Sequence, residues 1–228
     1  MKEQQKRIGS AEFRNTQFSY RLGDDGVERF VGTPELQGAS GIGTDPLPPG
    51  QVWALSPGGP DEYAGLYKIE VNEGPGSGVK IVNRPVPASL RESVHVAEQN
   101  LLARARELVG DRDPRAHEFN VQLQSMDAAR SGAALSLPVL LGLCSALLQR
   151  SLKGGLVLAG SLTLGGGSEE VSNAVDLAEL AAEKGAQSLL LPVSARRQLL
   201  DVSDEVATKV SFLFYADPRD ALVKALAD

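Results

Sequence analysis

Nine of the 13 prolines stand at positions 34, 46, 48, 49, 57, 60, 75, 85 and 87, so the first 87 residues cannot carry a long helix. Each proline removes a backbone donor and pushes the residue before it out of the helical region, which leaves loops and short strands. Residues 51–55, 66–71 and 79–82 are β-branched or aromatic stretches bounded by Pro/Gly turns, and read as strands. Residues 1–49 read as an arm or linker carrying Phe13, Phe18, Tyr20 and Phe30. Such scattered aromatics are expected to pack on a domain outside this chain. The expected division is an arm over 1–49 and a domain over 50–228.

Past residue 88 the pattern changes to alternating helix and strand. Ser89-Leu90-Arg91-Glu92 has the form of a capping box, the serine and glutamate each satisfying a free amide. Behind it Leu90, Val94, Ala97, Leu101, Ala105 and Leu108 recur at helical spacing. Residues 117–124 alternate as a strand with Phe119, Val121 and Leu123 on one side. An apolar helix ending near Arg150 follows, then a strand over 156–164 running into Gly165, Gly166 and Gly167. Residues 173–184 form a helix closed by Gly185. Residues 189–191 and 210–214 are short buried strands, and Asp217-Pro218 opens the last helix. The expected class is α/β (α+β), preceded by a Pro/Gly-rich arm with short β-strands.

Several functions lack the residues they need. With 42% hydrophobic residues the chain can bury a full core, yet no run approaches the roughly 18 apolar residues of a membrane span. No apolar core follows Met1 as in a secretion signal, and the lone Cys144 suits a reducing compartment, so a cytoplasmic protein without membrane contact is expected. The net charge is −6 and the charges are interspersed, without the Lys/Arg block that grips phosphates. Lys2, Lys6, Arg7 and Arg14 make only a loose basic patch. Gly74-Pro75-Gly76-Ser77-Gly78 and Gly165-Gly166-Gly167-Ser168 lack the Gly-Lys-Ser/Thr ending of a phosphate loop. His95, His117 and Cys144 are too scattered for a zinc site, and Cys144 sits on an apolar helix. No cofactor is expected in this chain.

The most informative region is 122–185. Its strand, its loop with Asp127 and Ser131-Gly132, its apolar helix, the strand ending Ala159-Gly160-Ser161-Leu162-Thr163-Leu164-Gly165-Gly166 and the next helix resemble the proteolytic domain of the Lon peptidase family. Leu90-Arg91-Glu92-Ser93 is similar to that family's Met-Lys-Glu-Ser helix, and the likeness covers roughly residues 78–226. The resemblance implies a Lon proteolytic-domain-like fold and a serine–lysine dyad, the serine lying in Asp-Gly-Pro-Ser-Ala-Gly at a helix start. Asp127-Ala128-Ala129-Arg130-Ser131-Gly132 imitates that motif and makes Ser131 the candidate nucleophile. Counting back from Cys144-Ser145-Ala146-Leu147-Leu148 gives Pro138 instead, with Ser136 nearby as a cap. Both registers stay open.

A dyad works only if a buried, neutral lysine takes the serine proton. Aligning the Leu-Thr-Leu-Gly-Gly strand puts Val175-Asp176-Leu177 where the family has Lys-Glu-Lys. Lys184 lies nine residues past Val175, about half a turn off in facing direction. It faces as Leu177 does but roughly 10 Å further along the helix. Lys153 falls at the far end of the preceding helix. The general base is expected to be lost.

Gly50-Gln51-Val52-Trp53, Gly65-Leu66-Tyr67-Lys68-Ile69-Glu70-Val71, Phe214-Tyr215-Ala216-Asp217-Pro218-Arg219-Asp220-Ala221-Leu222, and the arm from Lys6-Arg7-Ile8-Gly9 to Phe18-Ser19-Tyr20 narrow the resemblance. They are similar to the Lon-related proteins of bacteriophage-exclusion (BREX) systems. That likeness implies an upstream AAA+ region binding ATP and magnesium, ring-shaped homo-oligomers, and phage defence through DNA engagement by the full-length protein. This chain then reads as a C-terminal piece. The leading expectation is a catalytically degenerate protease domain that packs against its AAA+ region and sister subunits and supports assembly. The alternative is an active ATP-dependent Lon-type serine peptidase, with Ser131 as nucleophile and Lys184 or His117 as base. A third reading makes residues 1–20 a DNA-contacting arm, against the acidic net charge.

Overall fold

The structure, a computed structural model, describes residues 19–22, 28–32, 41–58, 63–127 and 131–227. By chain contacts it divides into two compact units, Met1–Ser40 and Gly41–Asp228. In the first, β1 (Ser19–Leu22) and β2 (Glu28–Gly32) pair antiparallel. Lys2, Lys6, Arg7, Arg14, Phe13 and Phe18 lie outside the described residues.

The second unit is a seven-stranded sheet with helices on both faces. Its strands are β3 (Gln51–Ser56), β4 (Gly65–Pro75), β5 (Gly78–Ile81), β6 (His117–Ser125), β7 (Leu156–Ala159), β8 (Ser188–Pro192) and β9 (Ser211–Tyr215). They lie in the order β5-β6-β4-β3-β7-β8-β9. Only β4 runs against the rest, because a direct loop joins it to β3 while crossovers return the chain before the parallel neighbours. The α/β class expected from the sequence is borne out.

The helices are α1 (Ala88–Ala103), α2 (Ala105–Val109), α3 (Ser136–Leu148), α4 (Ala174–Glu183), α5 (Asp204–Lys209) and α6 (Pro218–Ala225). One sheet face packs on α1, α3 and α6 through a core that includes Tyr67, Ile69, Leu101, Phe119, Leu140 and Leu222. The other packs on α4 and α5 through Leu55, Val157, Leu177, Leu189 and Val206. In α3 every residue from Ser136 to Leu147 is buried, as an all-round apolar helix requires. Gly142 lets it approach the sheet: a Cβ there would stand 3.1 Å from Val71 Cγ2.

Residues 41–49, grouped with the arm on composition, are stitched to this unit. Ile42 is buried and its amide donates to the Lys184 carbonyl at 2.9 Å, while Gly155 donates to Gly43 at 2.9 Å. Gly185 (φ +78°) closes α4 as the sequence suggests, its amide bonding Ala182 and that of Ala186 bonding Ala181.

Three local expectations change. The capping box does not form: Pro87, with φ already near the helical value, stands at the N-cap of α1, and Ser89 donates its hydroxyl to the Ser131 carbonyl instead. The strand over 156–164 stops at Ala159, where Gly160 (φ +131°) breaks it. Residues 161–169 then fold back as a ribbon, with Thr163 donating to Gly167 and Glu169 to Ser161, both at 2.8 Å. Between β8 and β9 the chain adds a 3-10 segment (Val193–Asp201) and α5, whose Ser203 cap accepts from the Val206 amide.

Candidate functional site

Because β3, β6, β7 and β8 run the same way, Ser56, Ser125, Ala159 and Pro192 end at one edge of the sheet. Sites in open α/β sheets form outside such carboxyl ends. Three segments meet there: Asp127 with the loop residues 131–135, the ribbon after Gly160, and the first turns of α1.

Serines dominate this edge, and most of the partners they have among the described residues are backbone groups. Ser131 accepts the Ala133 amide on its hydroxyl (3.3 Å) and the Ser89 hydroxyl on its carbonyl. Ser56, fully buried, donates to the Ala133 carbonyl at 2.7 Å. Ser93 accepts the Leu135 amide at 3.2 Å. The Gly132 amide donates to the Tyr67 hydroxyl at 3.2 Å, and the Leu66 amide to Asp127 at 2.8 Å. Gly132 (φ +60°) adopts the left-handed conformation that favours glycine, and a Cβ there would stand 2.6 Å from Leu123 Cδ2, so that side chain would have to shift. Ala134 is also left-handed, at φ +53°, a conformation tolerated only when its surroundings fix it.

Neither sequence register puts a serine at the head of the helix. Ser131 lies five positions before α3, and Pro138 is buried in its first turn without a chemical group to offer. The first residue of α3 is Ser136, only 1% exposed. It does not cap the helix, as expected of it, because the helix starts two residues before Pro138 and includes it. Its hydroxyl crosses instead to the ribbon, accepting the Leu162 amide at 2.7 Å and sharing a hydrogen bond with Ser161 Oγ at 2.9 Å. The Ser136–Ser161 pair joins residues 25 apart, and no local pattern announces it.

The candidate bases lie elsewhere. α4 leaves the carboxyl edge and ends at Glu183, so Lys184 is roughly 15 Å along the helix from its start. There its carbonyl holds Ile42 and its ammonium pairs with Glu183. His117 opens β6, eight residues or about 26 Å before Ser125, and pairs with Glu73. The Lys153 amide donates to Ala225 at 2.8 Å, ahead of β7. Lys68, Lys80, Lys209 and Lys224 pair with Glu70, Glu118, Glu205 and Asp220. None of these lysines hydrogen-bonds to Ser136, and among the described residues none does so to Ser131. Val175 is half-buried and Leu177 fully buried in the core beneath α4. The cation beside the ribbon is Arg104, held by the Asn100 side chain and donating to the Gly165 carbonyl.

Cys144 is no substitute nucleophile: burial pushes its thiol up to about 12. Among the described residues no His/Cys/Asp/Glu group could hold a metal ion, and no helix is long and apolar enough to cross a membrane.

The family model described as subunit ChlI of Mg-chelatase matches residues 70–195, a relationship the sequence motifs did not suggest. The chain is similar to the Lon-like protease BrxL of Escherichia coli O9:H4 (strain HS), 31% identical over 99% of this chain and 33% of that protein. It is 26% identical to the Lon-like protease BrxL of Bacillus cereus (strain H3081.97), over the same shares. A Lon protease of Aster yellows witches'-broom phytoplasma (strain AYWB) is 24% identical over 65% of this chain and 19% of its own length. The Lon-like kinship expected from the residues is thus found, and the chain spans about one third of the BrxL relatives' length.

Proposed function

The chain belongs to the family described as subunit ChlI of Mg-chelatase, and from that premise and its likeness to BrxL we propose that it is a non-catalytic Lon-like domain serving assembly. In this reading residues 50–228 form the domain, 41–49 are bound to it, and the residues before them lead in from an AAA+ region of a longer, cytoplasmic protein. That region would bind ATP and magnesium, form a ring with sister subunits and engage DNA in phage defence of the BREX type. This chain contributes packing surface and rigidity.

The observation that carries the reading is the way the carboxyl-edge hydroxyls are used. Ser56, Ser89, Ser93 and Ser136 each hold a backbone group of the loop or ribbon, and apolar Val175 and Leu177 stand where the Lon resemblance asks for lysine. A hydroxyl fixed in this way works as a bracket, whereas a nucleophile needs a base on the oxygen that attacks.

The test is covalent labelling by a serine-reactive fluorophosphonate, read by intact mass on wild type, Ser131→Ala and Ser136→Ala. No adduct on folded wild type is expected. An adduct on wild type that disappears in Ser131→Ala would establish the peptidase reading, which the place of Ser131 in the carboxyl-edge loop favours. An adduct lost only in Ser136→Ala would place the nucleophile at the helix head and equally overturn the proposal.

A further inference from the structure

A second site lies at the far edge of the sheet, beside β5. Among the described residues this strand pairs with β6 alone, so its other side is open to them. Val82, just beyond it, donates to the Val121 carbonyl at 2.9 Å. Alternate residues of a parallel ladder bond to the same neighbour, so the backbone groups of Val79 and Ile81 face outward.

Along this open edge, α1 and the 3-10 turn Pro114–Ala116 leave a cleft of about 120 Å³. Val79, Leu102, Pro114 and Phe119 make it apolar, and Glu98 and Arg115 stand at its rim. Both rim side chains are without an ion pair among the described residues, although five of the six described lysines have one. The Glu98 carboxylate hangs over the strand: Oε1 would be 3.9 Å from a Cβ on Gly78.

We propose that this edge binds an extended segment of another polypeptide, which adds to β5 as a strand and sets one large apolar side chain in the cleft, with a basic residue two positions on against Glu98. Strand addition takes affinity from backbone bonds and specificity from pockets for alternate side chains, and the edge offers both. A separation of two positions keeps the apolar and basic side chains on one face, roughly 7 Å apart. Four residues and the exposed Lys80 make β5 a poor template for indiscriminate pairing. The cleft therefore carries the selectivity, and micromolar affinity is expected. The proposal stands whether or not any serine of the opposite edge hydrolyses a peptide.

The test uses the full chain and fluorescein-labelled heptapeptides of the form Thr-Val-Thr-X-Thr-Lys-Thr, followed by polarisation. With Leu or Phe at X, binding about tenfold or more tighter than with Ala is expected from burial in the cleft, and none with Asp. Leu102→Arg, at a half-buried helix position, and N-methylation of the pairing amides should each abolish the preference. Glu98→Lys should reverse the choice between this peptide and one carrying Glu in place of Lys. Circular dichroism confirms that each variant is folded. Failure of the Leu and Phe peptides to bind at millimolar concentration, or binding that survives both Leu102→Arg and N-methylation, would overturn the proposal.

Discussion

Replacing Ser136 by alanine separates a structural hydroxyl from a chemical one. The Ser136 side chain is 1% exposed, and the Leu162 amide it holds at 2.7 Å is buried with it. Alanine leaves that amide without an acceptor in a place water does not reach, which costs about 1–3 kcal/mol. The partner Ser161 is half-buried and can turn to solvent, so losing the hydroxyl–hydroxyl bond adds little. We expect Ser136→Ala to destabilise the protein by about 2 kcal/mol and Ser161→Ala by less than about 1 kcal/mol.

Urea unfolding followed by circular dichroism would read this directly. With a slope near 2 kcal/mol per molar, Ser136→Ala should lower the midpoint by about 1 M without changing the slope. Amide exchange adds the location, because opening of the ribbon should speed exchange at Leu162 and Thr163 while leaving β8 protected. A midpoint unchanged in Ser136→Ala, or equal losses in Ser136→Ala and Ser161→Ala, would refute the view that this hydroxyl brackets the ribbon to α3.

Four further outcomes are expected. Tyr215→Phe should stabilise the protein by about 1 kcal/mol in the same assay, since the buried Tyr215 hydroxyl has no partner among the described residues and its removal ends that desolvation cost. Cys144 should resist iodoacetamide at pH 8 in the native protein and react once urea unfolds it, because burial holds the thiol at about 12. The hydrogen bond from Lys224, with help from the Ala216 amide and against the push of burial, holds the Asp220 carboxyl below the ordinary 3.8. Its stabilisation is present above pH 3.8 and lost as pH falls through the lower folded value, so Asp220→Asn should flatten the acid side of the stability curve. Leu177→Lys should cost at least about 3 kcal/mol, since the charge is forced into the core with Leu189 and Leu191, whereas half-buried Val175→Lys should be tolerated; neither is expected to create hydrolysis.

Much of the fold is legible because its signals are local. Prolines 46, 48, 49, 57 and 60 bracket β3, alternation gives β6, and Gly185 ends α4 where helix geometry needs a left-handed residue. The site is not legible in the same way. Ser89 carries a sound capping pattern, yet a loop carbonyl from 42 positions away takes its hydroxyl. Leu162, Thr163 and Leu164 continue the apolar run of β7, but the left-handed turn at Gly160 removes them from the sheet. In the first case, and in the hold that Ser136 takes on the Leu162 amide once the chain has turned at Gly160, a long-range contact acts that the sequence gives no trace of.

That difference bears on how such a domain could lose or regain chemistry. A lysine restored at position 175 would reach only the half-exposed side of α4, while one at 177 would enter a core already filled. On the opposite side of the sheet edge, freeing a serine for attack would release the backbone group it holds: Ser136 would release Leu162, and Ser56 would release Ala133. Freeing Ser136 therefore destabilises the ribbon and freeing Ser56 the loop beside Ser131, and neither supplies the other half of the dyad. A tolerated lysine at position 175 therefore lacks a freed serine to act on, while Leu177→Lys or a freed Ser136 or Ser56 loses stability first, which is why no single substitution toward the Lon pattern is expected to restore activity.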